Sequence, residues 1–265
     1  MTEALVANPS HTLHAVLMLQ PQCNMHCSFC ITEDSMSVMP PDLARQLLRF
    51  LRERGYSSAI FGGGEPFHWP HDPAKLIQFA KELGFLTQVG TNAVNLPEGF
   101  EQWSFIDRWV LPLDGTTGTT HNSMRHYHRR HREIILSALK KLAAAEKSVT
   151  ISTVITKINQ GEILGIGEWL RSIVQQQPDF VHAWHLYQFL PFGRGGAVHK
   201  EELEIPPEAY EDLVLKAKAA NLPFRVFKRA NMMNSKTVHF FWFEGGRLQS
   251  NQSARILSKN TRTEV

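Results

Sequence analysis

All three cysteines of this 265-residue chain fall within eight positions, Cys23-Asn24-Met25-His26-Cys27-Ser28-Phe29-Cys30. Three thiolates spaced C-x3-C-x2-C on one short loop can curl round a single cubane of iron and sulfide, ligating three irons and leaving the fourth open to chemistry. A disulfide framework needs an even count and a secreted context, and a structural zinc normally takes four ligands in two separated pairs. His26 offers a Cys3His alternative for zinc, although tetrahedral ligation by all four side chains is strained on so tight a loop. Further along, Gly62-Gly63-Gly64-Glu65-Pro66 directly follows the apolar stretch from Ser57 to Phe61. Glycines let the backbone approach a ligand closely, and a carboxylate beside them accepts hydrogen bonds from an ammonium. Alone, a triple glycine marks a turn more often than a site.

These residues need a scaffold that brings successive strand ends together. Leu13 to Leu19 is nearly continuous aliphatic, as in a strand buried on both faces, and it leads straight into the cysteines. Pro40-Pro41-Asp42 opens a helix with Leu43, Leu47, Phe50 and Leu51 on one face, ending near Gly55. Ser57 to Phe61 reads as a second strand, and Asp72-Pro73 starts a second helix that stops at Gly84. Phe85 to Val89 and Arg108 to Leu113 follow as strands, separated by a short, loose helix over Pro97 to Trp103 and ending at Asn92 and Asp114. A long helix is expected from about Tyr127 to Ala145, a strand over Val149 to Ile155, a helix through Ile163 to Val174, and a sixth strand over Val181 to Phe189. The remainder changes character: a helix from Pro206 to about Ala219, an extended piece at Phe224 to Phe227, and a hairpin of Thr237 to Phe243 with Arg247 to Ser250.

Alternating strands and helices with right-handed crossovers allow a doubly wound sheet or a β/α barrel. Cys23 to Cys30, Glu65, Asn92 and Asp114 follow four successive strands, and a barrel-like ring lets consecutive strand ends face one cavity. Six units do not close a ring. The expectation is an α/β fold, a partial (β/α)6 barrel over residues 13–192, after an N-terminal segment at 1–12. A C-terminal α/β-hairpin extension over 193–252 is expected to cover the open side, followed by a mobile tail at 253–265.

The formal net charge of +3 is too small to argue for stable nucleic-acid binding, even with thirteen histidines able to add charge in mild acid. Residues 1–11 lack a basic start followed by an apolar core, and the longest early apolar run is too short to span a bilayer, so neither export nor membrane anchoring is expected. An iron-sulfur cluster on reduced thiolates favours the cytoplasm.

Taken together, the cysteine loop and the G-G-E-P segment resemble the radical S-adenosylmethionine (radical SAM) enzymes, over roughly Leu13 to Phe192. That resemblance implies a partial barrel, a [4Fe-4S] cluster on Cys23, Cys27 and Cys30, and S-adenosylmethionine chelated at the open iron. It implies contacts to the cofactor from Gly63, Gly64 and Glu65, with Asn92 and Asp114 at the following strand ends. Phe29 matches an aromatic often placed beside the adenine, or else packs in the core. Arg125 falls where similar sequences pair an arginine with the methionine carboxylate. The chain departs from the pattern at Ala93, where a Thr-Asn-Gly strand end has glycine, and at Pro112, where many relatives carry a ribose-contacting serine. Implied chemistry is reductive cleavage of the cofactor to a 5'-deoxyadenosyl radical that takes hydrogen from a substrate, with an electron donor such as flavodoxin or ferredoxin.

With no cysteine after Cys30, a second all-cysteine cluster is absent, as in short members of the superfamily. The Tyr187 to Pro191 run and the Arg247-Leu248 hairpin are similar to viperin-like and molybdopterin-precursor-synthase-like members, which act on nucleotides. The basic run His121, Arg125, His126, His128, Arg129, Arg130, His131 and Arg132 reads most simply as a solvated helix start, yet positive charge there opposes the helix dipole and suggests an anionic neighbour. Arg194, Lys228, Arg229, Lys236 and Arg247 are candidate substrate residues: placed around the barrel mouth they would form an anion site, or else they only keep the surface soluble. A peptide or protein substrate is the alternative, and a non-catalytic iron-sulfur or zinc protein would keep the cysteines while having no use for Gly62 to Glu65.

Overall fold

The computed structural model describes residues 12–252, so that residues 1–11 of the expected N-terminal segment and all of the expected tail lie outside the described residues. Six parallel strands stand side by side in sequence order: β1 (Leu13–Met18), β2 (Tyr56–Gly62), β3 (Leu86–Gly90), β4 (Arg108–Pro112), β5 (Val149–Ile155) and β6 (Val181–Gln188). β7 (Arg225–Arg229) adds in parallel to β6, and β8 (Val238–Glu244) adds in parallel to β1 on the opposite edge. β9 (Arg247–Ser250) then returns antiparallel on β8. The ladder thus runs β7-β6-β5-β4-β3-β2-β1-β8-β9, a curled half-barrel.

The helices line one face because their apolar residues recur at helical spacing. α1 (Pro41–Glu53) buries Ala44, Leu47, Leu48 and Leu51, and α2 (Pro73–Glu82) buries Leu76, Ile77 and Ala80. Asp72 caps α2 by accepting from the Lys75 amide at 3.2 Å. α3 (Gly118–Met124), α4 (His131–Ala144) and α5 (Ile163–Gln176) follow, then two single turns, α6 (Gly193–Gly196) and α7 (Lys200–Leu203), and α8 (Pro207–Ala219). Leu17, Phe61, Trp109, Leu111, Trp184 and Leu186 point from alternate strand positions into this core. Each such side chain stabilises the fold by roughly 1.5–3 kcal/mol. No helix among the described residues is long and apolar enough to cross a membrane.

Two expectations change. The long helix begins at His131, not near Tyr127: Arg125–His126 instead form a short strand against His26–Cys27, and His128 and Arg129 take positive φ. The segment from Pro97 to Trp103 is a 3-10 turn at Phe100–Gln102. The terminal hairpin joins the sheet: β8 pairs with β1 and satisfies a backbone edge that would otherwise be open.

Candidate active site

The segment after β1 is tied to its neighbours through the backbone. The Leu19 amide donates to the Gly62 carbonyl (2.9 Å), the Gly64 amide to Gln20 (2.7 Å) and the Glu65 amide to Gln22 (2.9 Å), while Gln20 Nε2 donates to the Glu65 carbonyl (2.9 Å). Gly64 is glycine for a steric reason: a Cβ there would lie 2.6 Å from the Pro21 carbonyl oxygen. From the other side, the turn after β6 clamps the cysteines. The Gly195 and Gly196 amides both donate to the Cys30 carbonyl, at 3.0 and 3.2 Å, and the Gly193 amide donates to Glu33 Oε1 at 3.0 Å.

Around this loop the strand ends converge. Glu65 is buried, and its carboxylate accepts from Thr91 Oγ1 (2.7 Å), the Asn92 amide (2.8 Å) and the Phe67 amide (3.2 Å). Burial nevertheless pushes its carboxyl up to about 7. Asn92 Nδ2 donates to Asn24 Oδ1 at 2.7 Å and lies 3.4 Å from Cys23 Sγ. Asp114, fully buried, accepts from the Val154 amide at 2.8 Å and pairs with Arg125. The Arg125 guanidinium lies 4.7 Å over the Phe29 ring, with Nη1 3.9 Å from Cys27 Sγ. Burial pulls that guanidinium down, but Asp114 and Cys27 beside it more than offset the effect. Phe29 itself packs with Met124, Phe189 and Leu203 in a small second core.

The expected cofactor residues are therefore brought together, whereas the five expected substrate cations are not. Arg194 lies against Cys30 and pairs with Asp34 at 3.7 Å. Lys228 is exposed and paired with Glu211 of α8, on the helical side of β7. Lys236 is exposed ahead of β8, at the strand-start end, and Arg247 is exposed on the hairpin. Arg229 alone turns toward the concave face, with Nη2 3.2 Å from His185 Nε2 and its guanidinium 4.9 Å over Phe227. The basic run is divided: His126, His128, Arg129 and Arg130 are exposed ahead of α4, and the rest is buried or half-buried. His121 and His131 are fully buried, and His126 Nε2 bonds to Ser28 Oγ at 2.8 Å.

Sequence reasoning also passed over Arg108. Trp109 and Leu111 face the helical core, so by alternation Arg108 and Val110 face the lumen. The Arg108 side chain has no hydrogen bond or ion pair to any described residue, and its Nε is buried. His14, His182 and His185 all feel its charge. Near the strand ends a pocket of about 320 Å³ is walled by Met18, Met233, Phe240 and Trp242, with Glu33 and Glu244 at its border.

The three thiols are free and half-buried. Burial pushes the Cys27 thiol up to about 12 against the pull of Arg125, so a thiolate there calls for a cationic partner. Among the described residues no group of three or more His, Cys, Asp and Glu converges on one metal ion. A cubane needs no such convergence, because each thiolate binds its own iron. Asn24 Nδ2, buried beside Cys23 without a partner, is a donor suited to a sulfide-bearing group. The residues fit an iron-sulfur cluster.

Residues 17–170 match the family model described as the radical SAM superfamily. A 116-residue stretch, 40% of this chain, is 32% identical to an S-adenosylmethionine-dependent nucleotide dehydratase of Lacinutrix mariniflava and covers 23% of that protein. Another of 65 residues, 23% of this chain, is 40% identical to an S-adenosylmethionine-dependent nucleotide dehydratase of Oncorhynchus mykiss and covers 18% of it. The match thus spans under a quarter of either curated relative. Streptococcus suis SuiB bound to S-adenosylmethionine superposes with a TM-score of 0.65 at 16% identity, over 83% of this chain and 51% of that one. At that identity the likeness speaks for the fold alone.

Proposed function

This chain belongs to the radical SAM superfamily, and from that membership we propose that Cys23, Cys27 and Cys30 carry its [4Fe-4S] cluster and that its substrate is a nucleotide or another small anionic metabolite. The chemistry these groups supply when bound is one-electron reductive cleavage of S-adenosylmethionine to methionine and a 5'-deoxyadenosyl radical, which takes a hydrogen atom from the substrate. The protein's own contribution is placement. Asn92, Arg125 and Arg194 direct N–H groups at the cysteine sulfurs, and Glu65 ties the end of β2 to the end of β3.

The observation that carries the substrate class is Arg108, a half-buried guanidinium at the start of β4 whose side chain has no hydrogen bond or ion pair among the described residues and feels the Asp107 carboxylate only as a neighbouring charge, with Arg229 and three histidines on the same concave face. A desolvated cation of this kind is balanced by an anionic ligand, and guanidinium geometry suits phosphate. The nucleotide dehydratases to which the chain is similar support the same reading. The apolar pocket beside the cysteine loop supports a second reading, an apolar side chain of a peptide substrate.

Anaerobically reconstituted protein should hold about four irons per chain. Calorimetry of nucleoside phosphates and matching nucleosides against the cofactor-loaded protein should show binding that depends on phosphate. Arg108→Ala and Arg229→Ala should weaken it roughly ten- to a hundredfold, as for loss of a charge-assisted contact. Lys228→Ala should leave it unchanged. If iron loads and no nucleoside phosphate binds, the substrate class is wrong while the superfamily chemistry stands.

A further inference from the structure

The histidine-rich run after β4 contains a closed, buried relay. The Asp114 backbone N–H donates to His121 Nδ1 at 3.1 Å, which leaves the His121 proton on Nε2. His121 Nε2 lies 2.8 Å from His131 Nδ1, and His131 Nε2 lies 2.8 Å from the Asn92 carbonyl oxygen. With an amide donor at one end and a carbonyl acceptor at the other, one tautomer satisfies every link: both rings protonated on Nε2, each passing a hydrogen bond in the same direction. The rings stack at 5.0 Å between centroids and 20° between planes, and both are fully buried.

The relay is also uncharged. Burial pushes both imidazoles down to about 3, and Arg125 and Arg132 repel a proton from His121, as Arg125 does from His131. Asp114, the one carboxylate among the described residues that acts on the pair, is itself taken by Arg125. A third proton would set two N–H groups against each other, on His131 Nδ1 across the 2.8 Å link between the rings or on His121 Nδ1 across the 3.1 Å link to the Asp114 amide.

At its far end the relay meets a residue with every polar group engaged. Asn92 donates its amide to Glu65 Oε2 (2.8 Å), accepts from the Val94 amide on Oδ1 (2.9 Å), and directs Nδ2 at Asn24 Oδ1 and Cys23 Sγ. His131 holds the remaining group, the carbonyl. We propose that His121 and His131 are positioning residues, a neutral imidazole pair that fixes the Asn92 carbonyl relative to Asp114 and so sets the N–H that Asn92 presents to Cys23. Hydrogen bonds to cluster sulfurs alter cluster potential, and groups behind the ligands orient them, so the pair acts on the metal site without touching it. The inference rests on the cluster reading above for its effect, although the relay itself does not.

Two measurements test it. In the full-length chain without metal, nitrogen-15 NMR of the histidines should show two neutral rings in the Nε2–H form, unchanged from pH 8 to pH 5. An Nδ1–H tautomer, or a protonated ring at pH 6, would overturn the relay. In the reconstituted protein, His131→Leu should alter the electron paramagnetic resonance spectrum of the reduced cluster and weaken S-adenosylmethionine binding at least tenfold. His131→Gln, whose amide nitrogen can replace Nε2, should restore most of both. A His131→Leu protein with wild-type spectrum and affinity would overturn the positioning role. If that variant does not fold, His131→Gln is compared directly with the wild type, and the tautomer spectrum decides the relay. Failure of any cluster to load would count against the proposed function, while the metal-free spectrum would still judge the pair.

Discussion

Ala93 carries a left-handed backbone, φ +62, directly after Asn92. Glycine adopts this conformation freely, whereas a Cβ makes it costly, so the glycine of the Thr-Asn-Gly pattern is replaced here without a change of backbone conformation that would relieve the strain. Ala93→Gly is expected to raise stability by roughly 0.5–1 kcal/mol, the gain being reduced by the greater freedom of glycine in the unfolded chain. Urea unfolding measures it, and a destabilised variant would show that the alanine methyl, buried in the core, contributes more than the strain costs. The residues that were legible in the sequence were those whose position announces them: three cysteines on one loop, and Glu65, Asn92 and Asp114 at strand ends. Arg108 announced nothing, because the first residue of a short strand does not reveal which face it takes. The burial of His121 and His131 is not legible, because it depends on where α3 stops and α4 starts, and positive φ at His128 and Arg129 breaks the expected helix between them.

At the scale of elements, the strands and their order were legible because aliphatic runs alternate with helical periodicity. The edges of the sheet were not, since the pairing of β8 with β1 joins residues far apart in the chain and leaves no local signal. The turn after β6 shows the same limit. A run of glycines gives no local sign of what it packs against, yet α6 lies so close to the cysteines that a Cβ on Gly195 would lie 2.7 Å from the Cys30 nitrogen and nearer still to the Cys27 carbonyl. Both neighbours are backbone and cannot rotate away. Gly195→Ala should therefore displace the cysteine loop, cost about 1–3 kcal/mol as overpacking does, and lower the iron retained after reconstitution. Gly161→Ala is the control, since nothing lies within 4 Å of a Cβ there. Equal iron content and equal stability in the two variants would mean that α6 yields easily and is not a clamp.

Across the whole molecule, the buried titratable groups set how the metal-free protein responds to pH. Burial is the leading cause in each case: it holds His121, His131 and His185 at about 3, below the ordinary 6.5, and Glu65 at about 7, above the ordinary 4.5. Between about pH 3 and 6.5 each histidine is neutral in the folded chain and takes a proton on unfolding. The unfolded state then binds more protons, and stability falls as pH falls through that window, by up to about 1.4 kcal/mol per pH unit per histidine. Glu65 acts in the opposite sense. Protonated when folded and ionised when unfolded, it contributes stability that is present below about 4.5 and is lost as pH rises through about 7. Three groups outweigh one, so the net slope between pH 4.5 and 6.5 is positive, and it steepens below 4.5 where Glu65 no longer opposes it. Urea midpoints measured from pH 4 to pH 8 should rise toward neutrality and flatten above pH 7. His185→Gln should remove about one histidine's share of the slope while leaving the relay in place. A stability that is flat, or greatest in acid, would mean that these rings take up protons in the folded state and are not held neutral by the core around them.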